Sequence, residues 1–276
     1  MPTDPEIVRT EQLGQRPDPA SVTNSHAALI VRDLAKAYGG NQAVDGVSFQ
    51  VAQGSLVGLI GPNGAGKSTL GGLICGSIRS DSGEVWLADV RIDTFATWKR
   101  ARLGLARTFQ LSSEFQRLTV LENLLVGSAL RQQAMLWKAI AARRRWQSQE
   151  AELIGRARQL LEEFELAGHE KAYAGELSGG QRRLVEIARA LMSDPSVLVL
   201  DEPMAGLSPH MVERVTAHLE RLRSLGFALL LIEHNVAVVS ALSDRIVVMS
   251  QGRVIAEGVS EEVLGNDEVQ AIYVAG

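Results

Sequence analysis

The chain has 276 residues, 46% of them hydrophobic, with a formal net charge of -4 and one cysteine. That length holds one large α/β domain or two small ones and buries a substantial core, while the acidic balance argues against a general nucleic-acid binder, which carries a basic face. A single cysteine closes no disulfide within the chain, and no run approaches the roughly twenty apolar residues of a membrane-spanning helix.

Met1 to His26 mixes acids, amides and four prolines with no apolar centre, so residues 1–26 are expected to be a flexible tail and not a secretory signal. Structure is expected from Ala27. Leu29-Ile30-Val31 with Asp33-Leu34 suggests one strand, and Val47, Phe49 and Val51 alternate with polar residues in a second. Tyr38 ahead of Gly39-Gly40 reads as a turn between them. Leu56 to Ile60 is an apolar run suited to a strand buried on both faces. Behind it Gly61-Pro62-Asn63-Gly64-Ala65-Gly66-Lys67-Ser68-Thr69 fits G-x-x-x-x-G-K-[ST], and Leu70, Leu73, Ile74 and Ile78 recur at helical spacing. Strand, glycine loop and helix in that order turn several backbone N–H groups and a helix dipole toward one phosphate. Lys67 then reaches the β and γ phosphates, and Ser68 offers its hydroxyl to Mg2+.

Two glycines, Gly71 and Gly72, fall inside this helix at a cost of about 1 kcal/mol each relative to alanine, and close packing against a neighbour is one explanation. Cys75, on the same helix, reads as a buried inert thiol. Asp81-Ser82-Gly83-Glu84 is expected to turn before Val85-Trp86-Leu87, completing an antiparallel layer beside a parallel sheet. From about 111 to 191 helix formers dominate, with helices expected over Glu122 to Trp146 and Glu150 to Leu166 and a helical subdomain inserted into the core. Arg143-Arg144-Arg145 beside Trp137 and Trp146 suits a solvated helix face better than anionic lipid head groups. Val197 to Leu200 and Ala228 to Ile232 are further doubly buried strands, ending in Asp201-Glu202-Pro203 and Glu233-His234. Ile246 to Val248 and Val254-Ile255 around Gln251-Gly252 form a hairpin, and a C-terminal helix carries Glu261, Glu262 and Val263.

Charged residues just beyond buried parallel strands lie where such sheets bind ligands. Asp201 suits a second Mg2+ anchor and Glu202 a base that polarises attacking water. Leu177-Ser178-Gly179-Gly180-Gln181 opens another helix with N–H donors and a hydroxyl. Together with the glycine loop, Asp201-Glu202 and His234, this pentapeptide resembles the nucleotide-binding subunit of ATP-binding cassette (ABC) systems, from about Ala27 to the C-terminus. The resemblance implies a P-loop NTPase α/β fold with an antiparallel β layer and a helical insertion, residues 27–276 forming the ATP-binding domain. It implies ATP hydrolysis with Mg2+, Ser178, Gly179, Gly180 and Gln181 serving the nucleotide of the other subunit. Tyr38 matches the aromatic that stacks on adenine, although composition alone fits a strand-edge aromatic nearly as well. Gln110 matches the glutamine that contacts Mg2+ and the attacking water, and His234 the histidine on the γ phosphate. Ala205-Gly206-Leu207-Ser208 matches the loop after the catalytic carboxylate but has Ser208 where aspartate is commoner.

Arg107-Thr108-Phe109-Gln110, Leu118-Thr119-Val120-Leu121-Glu122-Asn123, Pro203-Met204 and Ala271-Ile272-Tyr273 are similar to the branch serving branched-chain amino-acid uptake. The implied partners are two membrane-spanning permease subunits, a second copy or homologous ATPase, and an extracytoplasmic binding protein, at the cytoplasmic face of the membrane. Leu111 to Phe115 would border the groove for a permease helix. Urea, amide or lipid cargo, and a soluble scaffold ATPase, are the alternatives.

Overall fold

The computed structural model describes residues 27–108, 113–132 and 143–274. The expected tail, residues 1–26, lies outside them, as do Gln110 and Trp137. Twelve-residue strands β1 (Ala27–Tyr38) and β2 (Asn41–Ala52) pair antiparallel, and β4 (Ser82–Leu87) and β5 (Val90–Arg91) extend the sheet in the order β2-β1-β4-β5. This is the antiparallel layer the alternation predicts. Tyr38 closes β1, so the turn is confined to Gly39-Gly40, and β4 starts at Ser82, inside the expected turn.

The second sheet has six strands in the order β10-β9-β3-β8-β7-β6. These are β3 (Leu56–Ile60), β6 (Leu105–Arg107), β7 (Val197–Asp201), β8 (Ala228–Ile232), β9 (Arg245–Ser250) and β10 (Arg253–Gly258). All neighbours are parallel except β9 and β10, the hairpin read from Gln251-Gly252. Side chains alternate strictly between two cores. Leu198, Leu200, Leu229, Leu231, Ile246 and Val248 face one way, and Val197, Val199, Leu230, Ile232, Val247 and Met249 face the other. Both faces are covered, which is why these strands read as unbroken aliphatic runs.

On one face lies α1 (Lys67–Cys75), held with the antiparallel layer in the second core. The opposite face carries α6 (Gly179–Leu191), α7 (Pro209–Ser224) and α8 (Val236–Leu242), with α4 (Val120–Gln132) packed on α6. Gly71 and Gly72 are accounted for by packing. A Cβ on Gly71 would sit 2.9 Å from Ile232 Cδ1, and one on Gly72 2.6 Å from Ile78 Cδ1, so the bare backbone lets α1 settle on β8 and on its own following turn.

Between β6 and β7 the described residues hold helices and turns, with one isolated bridge from Thr119 to Tyr173. The chain passes through α3 (Ser113–Gln116), α4 and α5 (Arg143–Glu163). The helix boundary expected between Trp146 and Glu150 is absent, because α5 runs through it from Arg143. Arg143 to Trp146 therefore begin the second long helix; nothing in Gln147-Ser148-Gln149 breaks a helix. The expected C-terminal helix with Glu261, Glu262 and Val263 is α9 (Ser260–Leu264), and a further helix, α10 (Asp267–Val274), follows Gly265.

Candidate active site

Three adjacent strand ends build the site. β3 runs into the glycine loop, β8, its neighbour, ends before Glu233-His234, and β7, next to β8, ends at Asp201. The loop closes on α1 through Gly66, whose φ of 100° lies in the region that favours glycine and whose Cβ would lie 2.2 Å from Ala43 O. Any side chain there would push the loop away from β2.

Lys67 is buried, and its ammonium donates to Gly61 O at 2.6 Å and Pro62 O at 2.9 Å. Burial pulls its pKa below the usual lysine value, while the carboxylates of Glu202, Asp201 and Glu233 act in the opposite sense and favour the cation. A cleft of about 670 Å³ opens above it, lined by Tyr38, Asn41 to Ala43, Asn63 to Thr69, Glu202, Gln251 and Gly252. Tyr38 is half exposed at its rim, with Lys36 Nζ 5.5 Å from the ring centroid. Of the expected site residues, Tyr38, Asn63 to Thr69 and Glu202 are thus brought to one cavity, while Gly61, Pro62 and Asp201 are not among its lining.

Asp201 is fixed from β6: Arg107 Nη2 donates to its Oδ2 at 2.5 Å, and its backbone N donates to Thr108 Oγ1 at 3.3 Å. Glu202 follows in a left-handed conformation, φ 46°, its N–H donating to Ile232 O at 2.8 Å. Such a φ is uncommon outside glycine and tends to cluster at active sites. Ser68 and Asp201 offer hard oxygen donors, which suits Mg2+, an ion that keeps several waters and takes one or two protein ligands plus phosphate oxygens. Among the described residues no group of three His, Cys, Asp or Glu side chains is placed to hold a metal ion.

Ser178 to Gln181 do not line this cleft. Ser178 caps α6 in a capping box: Gln181 N donates to Ser178 Oγ at 3.3 Å, and Ser178 N donates to Gln181 Oε1 at 3.0 Å. The same helix reaches the site from behind through Arg183, whose Nη2 donates to Glu202 O at 3.2 Å while Nη1 pairs with Glu186. His234 is exposed beside the buried Glu233 and is likewise absent from the cleft lining. Reading the sequence missed Arg107 and Arg183, gave Glu233 no role of its own, and missed Gln42, Ala43 and Gln251, which sit at hairpin ends. Glu233 alone carried a local signal, a carboxylate directly after a wholly apolar strand.

Comparison with known proteins places this geometry. The profile of a family described as ABC transporter matches residues 44–205. The chain belongs to the ABC transporter family, as its ATP-binding subunit. This ABC ATPase is 38% identical over 250 residues to the probable branched-chain amino acid transport ATP-binding protein LivG of Methanocaldococcus jannaschii, covering 89% of this chain and 96% of the relative. It is 37% identical over 247 residues to the lipopolysaccharide export system ATP-binding protein LptB of Escherichia coli K12, covering 90% and 97%. The crystal structure of the ADP conformation of MJ1267, an ATP-binding cassette of an ABC transporter, superposes with a TM-score of 0.81 at 36% identity, covering 91% of this chain and 99% of that one. The ABC ATPase therefore binds nucleotide and couples its hydrolysis to transport. No helix among the described residues is long and apolar enough to cross a membrane.

Proposed function

We propose that this ABC ATPase drives uptake of branched-chain or other hydrophobic amino acids. Two copies, or this chain and a second homologous ATPase, close around ATP beneath two permease subunits at the cytoplasmic face of the membrane, and an extracytoplasmic binding protein delivers the cargo. Residues 27–276 act as the ATP-binding domain, with its helical part at about 111–191, and residues 1–26 as a tail.

In the nucleotide site Tyr38 stacks on adenine, and the backbone of Gly61 to Thr69 with Lys67 takes the phosphates. Ser68, Asp201 and Gln110 hold Mg2+, which when bound neutralises phosphate charge. Glu202 polarises the attacking water and accepts its proton. His234 contacts the γ phosphate, and Ser178, Gly179, Gly180 and Gln181 complete the site of the opposite subunit. Losing the γ phosphate removes the contact that joins the two surfaces, so they separate.

The observation that carries the cargo reading is the 38% identity to a branched-chain amino acid transport ATP-binding protein over nearly its whole length. Export of a lipid is the second reading, favoured by the similar 37% identity to LptB. Copurification from membranes without crosslinking, followed by reconstitution of the isolated complex into liposomes, separates the two. The expected result is ATP-dependent accumulation of labelled leucine or isoleucine that needs a binding protein. A complex that extracts lipid and leaves both amino acids outside would overturn it.

A further inference from the structure

Glu233 is fully buried at the end of β8, and both of its carboxylate oxygens are engaged. Oε1 accepts from Met204 N at 2.8 Å, and Oε2 from His234 N at 3.2 Å, with His234 Nδ1 3.6 Å from Oε2. Its own N–H donates to Leu59 O in β3 at 3.2 Å, two residues before the glycine loop.

The turn Glu202-Pro203-Met204 has only two backbone N–H groups, since proline has none. Both are taken by consecutive residues at the end of β8, Ile232 in the strand and Glu233 just beyond it: Glu202 N by Ile232 O at 2.8 Å, and Met204 N by the Glu233 carboxylate. These two bonds hold Glu202 in its left-handed conformation. A buried carboxylate is costly unless fully hydrogen-bonded, and an apolar residue would serve simple packing better. What the carboxylate supplies is a rigid link between two loops.

We propose that Glu233 is a positioning residue whose carboxylate fixes Glu202 and His234 relative to one another, so that the base and the γ-phosphate contact form as one unit. The inference rests on the roles proposed above for Glu202 and His234. Glu233 itself touches no substrate.

The test uses the purified full chain with MgATP, measuring steady-state hydrolysis and equilibrium binding of a fluorescent ATP analogue for E233A, E233Q, H234A and the double variant, with E202Q as control. In E233A, which orphans two N–H groups, kcat should fall roughly 30-fold or more while nucleotide Kd stays within about threefold. E233Q should fall between wild type and E233A, because its amide oxygen still accepts from Met204 while its NH2 meets the His234 N–H donor to donor. Adding E233Q to H234A should cost no more than about twofold, since E233Q keeps its acceptor for Met204 N and the imidazole that the other arm places is already gone. Wild-type kcat in both Glu233 variants overturns the inference, as does a parallel loss of kcat and affinity with full additivity, which marks a general structural role. Should E233A fail to fold, E233Q, which keeps the shape, decides. An active E202Q removes the reading of the base and this inference with it, whereas an inactive E202Q beside normal Glu233 variants removes the inference alone.

Discussion

Cys75 sits on α1 behind the phosphate loop and is buried. Burial pushes its thiol up to about 12 from an ordinary 9.0, Asp201 adds to the effect, and the guanidinium groups of Arg107 and Arg100 oppose it. The thiolate is the nucleophile, so at pH 8 the folded protein should not react with a thiol reagent over an hour, while the chain in guanidinium takes up one equivalent. Fast stoichiometric labelling of the native protein would contradict the burial. The linkage has a definite sign. Because the folded thiol titrates above the unfolded one, its contribution to stability is complete below about pH 9 and is lost between about 9 and 12. Inertness here was legible in the sequence, since a lone cysteine on the apolar side of a short helix has few other readings. Glu233 was harder, because a strand that ends in a charge looks the same whether the charge meets solvent or turns back to hold a neighbouring loop.

At the scale of elements, Arg100 fastens α2 (Thr97–Arg102) to α1. Arg100 is 2% exposed and donates to four carbonyls: Leu73 O at 2.7 Å and Ile74 O at 2.6 Å near the end of α1, Phe95 O at 2.9 Å and Asp93 O at 2.7 Å. A cation at a helix C-terminus complements the dipole, and here it also bonds two carbonyls of the last turn of α1. Replacing Arg100 with alanine should cost about 2–4 kcal/mol in stability by denaturant titration, and replacing it with lysine, which cannot span four acceptors, should recover less than half. A cost below about 0.5 kcal/mol would show that water substitutes for the guanidinium. None of this was visible in Thr97-Trp98-Lys99-Arg100-Ala101-Arg102, where three basic residues look alike. The strands were legible because period-two alternation and doubly buried runs reflect sheet geometry directly. The continuity of the helix through Arg143 to Glu150 was there to be read, since that stretch contains neither glycine nor proline.

For the whole molecule, the two glycine-bearing surfaces point to different tasks. The loop residues Asn63 to Thr69 share a cleft with Glu202, whereas Ser178 to Gln181, at the start of a 13-residue helix, do not line that cleft. A helix N-terminus favours an anion, and on the reading proposed above this one serves the triphosphate held by the other subunit. E202Q should therefore bind ATP without turning it over and run, with MgATP, at about twice the 29.8 kDa of one chain in size exclusion with light scattering. Gly179→Asp separates assembly from folding. A Cβ on Gly179 would meet nothing within 4 Å, and an acid in the first turn suits the helix dipole, so the fold should be at least as stable as before. The same carboxylate would face the triphosphate held by the other copy, and like charges there should weaken the dimer by about 100-fold or more. A dimer of E202Q that survives Gly179→Asp unchanged would place the nucleotide away from this helix, and a monomer of E202Q at saturating MgATP would leave the second copy without a role.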